Sequence, residues 1–182
     1  MNPLRRLLLP LCLLGMAAAL RAAGRDPGPY DFFIPLIGGT WVTPDFASQP
    51  GHLVHQESTY AWDAAGQGIR GDLYLYEGKT LIDHEIDSIV WSPDAGRFVE
   101  KDGDTLGNVK TGTSRVADGV LTAEITISTP SGQKAVIRSR LSIEGDTATA
   151  KFFHEAHAGA WLQFLELKLK RKAPDAPSRG SS

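Results

Sequence analysis

Cysteine is nearly missing from these 182 residues: Cys12 is the only one. It falls inside an apolar leader, so the chain that follows offers neither a disulfide nor a thiol nucleophile, and packing alone must hold the fold. Long apolar runs are scarce too. After residue 24 nothing approaches the ~20 apolar residues that a membrane-spanning helix needs, so no transmembrane segment is expected. No stretch carries a helical period of useful length, which excludes a parallel sheet built with helical crossovers. Phosphate-cradling loops and dinucleotide fingerprints are absent, because Gly66-Gln67-Gly68 opens no helix, and no serine sits in a Gly-x-Ser-x-Gly turn. Blocks of basic charge are lacking as well. The formal charge is −2, and it becomes −5 if Arg5, Arg6 and Arg21 leave with the leader. That spread of charge argues against nucleic acid and anionic membranes as partners.

What is present begins with that leader. Arg5 and Arg6 precede an apolar stretch over 7–20, and small residues follow in Ala17-Ala18-Ala19 and Ala22-Ala23-Gly24. This is the order of a secretory signal peptide, and it predicts a secreted or periplasmic protein cleaved after Ala19 or after Gly24. Residues 25–36 read as a linker and an N-terminal plug, with one helical turn from Tyr30 to Ile34 ahead of Pro35. Residues 173–182, rich in Pro, Ser and Gly, read as a disordered tail.

From Ile37 onward the pattern has period two. Ten short runs, 37–43, 52–63, 69–77, 82–92, 97–102, 108–116, 120–129, 134–144, 147–155 and 161–171, are separated by turn residues such as Asp118-Gly119 and Pro130-Ser131-Gly132. Every connection is short, so each strand should pair antiparallel with the one before it. A meander of this length leaves two exposed edges unless it closes. The expected fold is therefore all-β: an antiparallel meander β-barrel of about eight to ten strands spanning 37–172, with a short N-terminal helical turn.

Gly39-Thr40-Trp41 on the first strand resembles the Gly-x-Trp signature of the lipocalin and calycin barrels. That resemblance implies a barrel base built from Gly39, Trp41 and a basic residue at the end of the last strand, a role that falls to Arg171. With Tyr60-Ala61-Trp62, the segment from Trp91 to Arg97 and the segment from Glu166 to Arg171, the chain looks like bacterial lipocalin-like families of uncharacterised function. No second or third lipocalin motif is seen, nor a helix after the last strand.

A barrel of this size encloses about one small ligand. The aromatic supply points to an apolar or aromatic molecule in the interior, with Trp62, Tyr74, His84, Trp91, His154 and Trp161 as lining candidates. His84 alternates with Ile82, Ile86 and Val90 and is read as inward, which turns Asp83, Glu85 and Asp87 outward; His154 shares a face with Phe152. Glu124, Arg138 and Arg140 read as a solvated outer face. The close histidine pairs His52/His55 and His154/His157 are three residues apart, on opposite faces of an extended strand, so no metal site is expected. Two alternatives stay open. One is a small barrel enzyme using His84 or His154 as general base, with Glu57 or Asp72 as the partner of His84. The other is a haem barrel, since small barrels similar to this one, the nitrobindins, hold haem through one axial histidine, a role that would fall to His154. Oligomeric state is not readable.

Overall fold

The computed structural model describes residues 28–156 and 159–173; the leader, the cleavage sites, His157 and residues 174–182 lie outside the described residues. A 3-10 helix, Gly28–Leu36, precedes eleven strands: β1 (Thr40–Val42), β2 (Phe46–Gln49), β3 (His52–Trp62), β4 (Gly68–Glu77), β5 (Thr80–Ser92) and β6 (Arg97–Asp104). They continue with β7 (Val109–Ala117), β8 (Val120–Ser128), β9 (Lys134–Glu144), β10 (Thr147–Glu155) and β11 (Trp161–Arg171).

Each strand from β3 to β11 pairs antiparallel with its sequence neighbour. The sheet then closes: β1 pairs with β3 through Trp41↔Ser58 and with β11 through Trp41↔Arg171. Ten strands form the closed ring, and β2 adds a flap to the free edge of β3. The sequence reading missed β2 because Pro44-Asp45 breaks the first run and Pro50-Gly51 follows so soon. The hairpins are tight where the chain supplies positive φ. Asp118 and Gly119, at φ 52 and 73, make the two-residue turn between β7 and β8.

One end of the barrel is sealed. Trp41 is fully buried and its indole Nε1 donates to the Leu36 carbonyl at 3.0 Å. Arg171 lies over the same ring, 4.8 Å from its centroid, donates to the Pro35 carbonyl and pairs with Asp146 at 3.2 Å. Phe33 of the helix meets Phe98 edge-on at 5.2 Å, and Phe98 meets Trp91 at 5.0 Å. Ile69, Ile89, Leu121, Ala148, Leu167 and Leu169 complete this basal core. Gly39 is required here by close approach: a Cβ on it would stand 2.6 Å from the Arg171 guanidinium.

Removing the indole should therefore open the seal. Trp41→Ala is expected to cost ~3–5 kcal/mol in denaturant unfolding. Gly39→Ala should cost ~1–2 kcal/mol, because it must push Arg171 off both Trp41 and Pro35; an unchanged midpoint for both would contradict this account of the base.

Candidate functional site

Strand register fixes which side chains enter the lumen. On β4 and β5 the pairs Ile69↔Ile89, Gly71↔Asp87, Leu73↔Glu85 and Leu75↔Asp83 share a face with the buried basal residues, so Asp83, Glu85 and Asp87 point inward. On β6 the pairs Trp91↔Phe98, Ile89↔Glu100, Asp87↔Asp102 and Glu85↔Asp104 continue that face. On β7, Lys110 lies opposite Asp102, Gly112 opposite Glu100 and Ser114 opposite Phe98. One wall of the lumen is therefore acidic. The facing wall, from β8 to β11, presents Ile125, Ile127, Ile137, Ala150, Phe152 and Leu165.

The acids form one cluster. Oxygen atoms of Glu85, Asp87 and Asp102 all lie within 4.8 Å of one another, and Lys110 Nζ forms an ion pair with Glu85. Glu100 is next to Asp102 on the same face, and both are only 8% exposed. Asp87 Oδ1, Glu100 Oε1 and Ser114 Oγ are sealed from solvent and have no hydrogen-bond partner. Such buried orphans are uncommon in folded proteins and need a physical account.

Burial and mutual repulsion decide the protonation of these groups. Burial is the main cause lifting Asp102, helped by the charges of Glu85 and Glu100, and its pKa rises to about 7. Asp87 is raised well above the ordinary carboxyl value, first by burial and then by the Asp102 and Glu85 charges. Glu100 is raised by burial, with Ser114 working the other way. For Lys110 burial acts to lower the pKa, yet Glu85, Asp87 and Asp102 together raise it, so it stays charged. Tyr60, buried against the same acids, has its phenol pushed up and stays neutral.

An inward position without a side chain, Gly71, gives the cluster room. A Cβ on Gly71 would meet the Tyr60 ring at 3.0 Å and Asp87 Cβ at 3.2 Å, whereas one on Gly112, opposite Glu100, would meet the Glu124 carbonyl oxygen of β8 at 2.4 Å. Glu85 and Lys110 keep 18% and 20% of their side chains exposed, so the cluster touches solvent on the side away from the sealed base.

The six lining candidates do not come together. His84 and Tyr74 are on the outer wall, stacked at 4.4 Å and 5°, and His84 Nε2 sits 3.2 Å from Asp72 Oδ1. The inward reading of β5 is thus reversed: Ile86 and Val90, 41% and 39% exposed, share the outer face with His84, while the acids go inside. Asp72 is held below the usual carboxylate range chiefly by Arg70, with His84 adding to it. That makes a surface pair and not the floor of a pocket.

Trp161 is also outside. Arg138 covers its ring at 4.0 Å and is itself held by Glu124 at 2.9 Å, so the indole is occupied by the chain. The outer groove there, about 750 Å³, is bordered by Arg97, Arg115, Arg140 and Phe153. Trp62 and Trp91 point inward but belong to the basal end, opposite Ile69 and Phe98. His154 faces the lumen at the unsealed end, opposite Ile137 and Leu162, with its ring 5.8 Å from Phe164.

No family model matches the chain, and no curated protein matches it in sequence. Among solved structures it is similar to the crystal structure of Rv2717c from M. tuberculosis, with a TM-score of 0.57 and 16% identity. The match covers 80% of this chain and 98% of that one. At that identity the likeness carries the fold, an antiparallel closed barrel, and nothing finer.

The raised acids give stability a defined pH dependence. From the unfolded value of 3.8 up to about 7, folded Asp102 holds a proton that the unfolded chain has released. Folding is therefore weakened as pH rises through that window, and Asp87 and Glu100 act with the same sign. The thermal midpoint should fall by ~5–10 °C between pH 5 and pH 8, and Asp102→Asn should flatten that slope. A midpoint that rises over this range would contradict the cluster.

Proposed function

We propose that this chain is an exported barrel, carried out by the leader in residues 1–24, that binds a small molecule with an apolar or aromatic body in its lumen. One observation supports this most. Inward-facing apolar side chains on the unsealed half, among them Leu73, Leu75, Ile125, Ile127, Ile137 and Phe152, are only partly buried, whereas those at the base are buried. Apolar side chains aimed into a lumen yet wetted there leave apolar surface for a ligand to cover, which is the driving force for binding. The sealed base directs access to the end where His154 and Phe164 stand.

The reading is tested by filling the lumen. A neutral apolar dye such as Nile red should bind saturably with an increase in emission, and Ile137→Trp should weaken it about tenfold or more without lowering the unfolding midpoint. Unchanged binding in that variant would place the dye elsewhere and sink the proposal.

A second reading, haem held by His154, is favoured by one contact. His154 Nδ1 lies 3.2 Å from the Glu155 carbonyl oxygen, which can only accept, so the tautomer with its proton on Nδ1 fits this contact and would leave the Nε2 lone pair for iron. Phe152, Phe164, Ile137 and Leu162 around it suit an apolar macrocycle. Haem there would supply an iron centre with one protein ligand, and His154 would hold it. Titration with haemin should then give a Soret shift that His154→Ala abolishes; an identical spectrum in the variant would exclude this reading.

A further inference from the structure

Resting on the lumenal site above, we propose that the polar end of the ligand is a cation, a primary or secondary amine, bound by Asp87, Glu100 and Asp102 on the β5–β6 wall. Asp87 Oδ1 and Glu100 Oε1 are sealed acceptors with no donor, and Glu100 is 8% exposed. A buried acceptor left unpaired is costly, and an incoming N–H removes that cost.

The chain itself shows that this cluster accommodates an alkylammonium. Lys110 reaches in from β7 and places its Nζ on Glu85. Its ion pair is with Glu85, and Asp87 and Asp102 feel its charge from farther away. Four carboxyl groups, Glu85, Asp87, Glu100 and Asp102, face one cation, so the far side of the cluster is short of positive charge. Protons fill part of that deficit in the free protein, and a ligand ammonium replaces them.

Oxygens of Glu85, Asp87 and Asp102 lie within 4.8 Å of one another, so a centre shared by all three is at most ~2.8 Å from each, within reach of charge-assisted N–H···O bonds. Calcium and magnesium call for more oxygen ligands than these three, and Lys110 repels a doubly charged ion more than a singly charged one. The way in runs past the partly exposed Glu85 and Lys110, and the apolar β8–β11 wall opposite takes the body of the molecule. The ligand class that results is an apolar or aromatic amine.

The test is calorimetric titration of the full chain at pH 8, where Asp102 is mostly ionised, with three probes that share one body: 4-phenylbutylamine, 4-phenylbutanol and 4-phenylbutyrate. The amine should bind at least about tenfold more tightly than the alcohol, and the carboxylate most weakly. Asp87→Asn should erase the amine's advantage over the alcohol. Glu100→Gln, a second variant in case the first folds poorly, should reduce that advantage. Equal affinity for amine and alcohol would overturn the cationic assignment while leaving the lumenal site standing. Binding of none of the three would remove both. Stabilisation by Ca²⁺ or Mn²⁺ with no response to the amine would make the cluster a metal site and overturn the proposal.

Discussion

Three residues, Thr40–Val42, hydrogen-bond to β3 along one edge and to β11 along the other, and the interior depends on that double pairing. An open meander of this length would expose two edges and have two faces, one of them wetted throughout. Closure abolishes the free edges of the ring and creates an inside. Trp41 sits at the join, with its backbone in both ladders and its ring under Arg171, so the same residue completes the sheet and stops one end. The 3-10 helix adds carbonyl acceptors, Leu36 for the indole and Pro35 for the guanidinium.

An enclosed lumen raises the electrostatic cost of whatever enters it. Four carboxyl groups inside would repel one another strongly if all were ionised. The barrel tolerates them through Lys110 on Glu85, through protons held on Asp87 and Asp102, and through space left by Gly71. A core selected for stability alone would have put aliphatic side chains at these positions, as the opposite wall does with Ile125, Ile127 and Ile137. The two walls are therefore chemically unlike, and an amphipathic ligand matches them better than a purely apolar one.

Much of the fold was legible in the sequence. Glycine-punctuated alternation located ten of the strands, and on β8 and β9 it gave the correct faces, since Leu121, Ala123 and Ile125 alternate with polar residues without ambiguity. On β5 the same reasoning failed because both phases carry apolar residues: Ile82, Ile86 and Val90 in one, Ile89 and Trp91 in the other. Choosing the aliphatic phase as the core buries His84 and exposes the acids, the reverse of what the register gives. A better guide was available. Asp83, Glu85 and Asp87 are in phase with Trp91, and Glu100, Asp102 and Asp104 are in phase with Phe98, so on two successive strands the acids follow the bulky aromatic that anchors the base. Their convergence with Lys110 was invisible, because register between strands is a property of the closed sheet. Trp161 misled for a related reason: an aromatic on an outer wall can be covered by a cross-strand arginine as fully as by a core.

The lumenal acid cluster is the feature on which the functional account turns, and its charge state can be read directly. Carbonyl and carboxyl ¹³C NMR across a pH titration, with Asp87→Asn and Asp102→Asn to assign the signals, reports each proton affinity. Asp102 is predicted to titrate near pH 7 and Asp87 well above an ordinary aspartate. Two aspartates titrating near pH 4, as solvated carboxylates do, would mean that these side chains do not face a closed interior, and the account would fall.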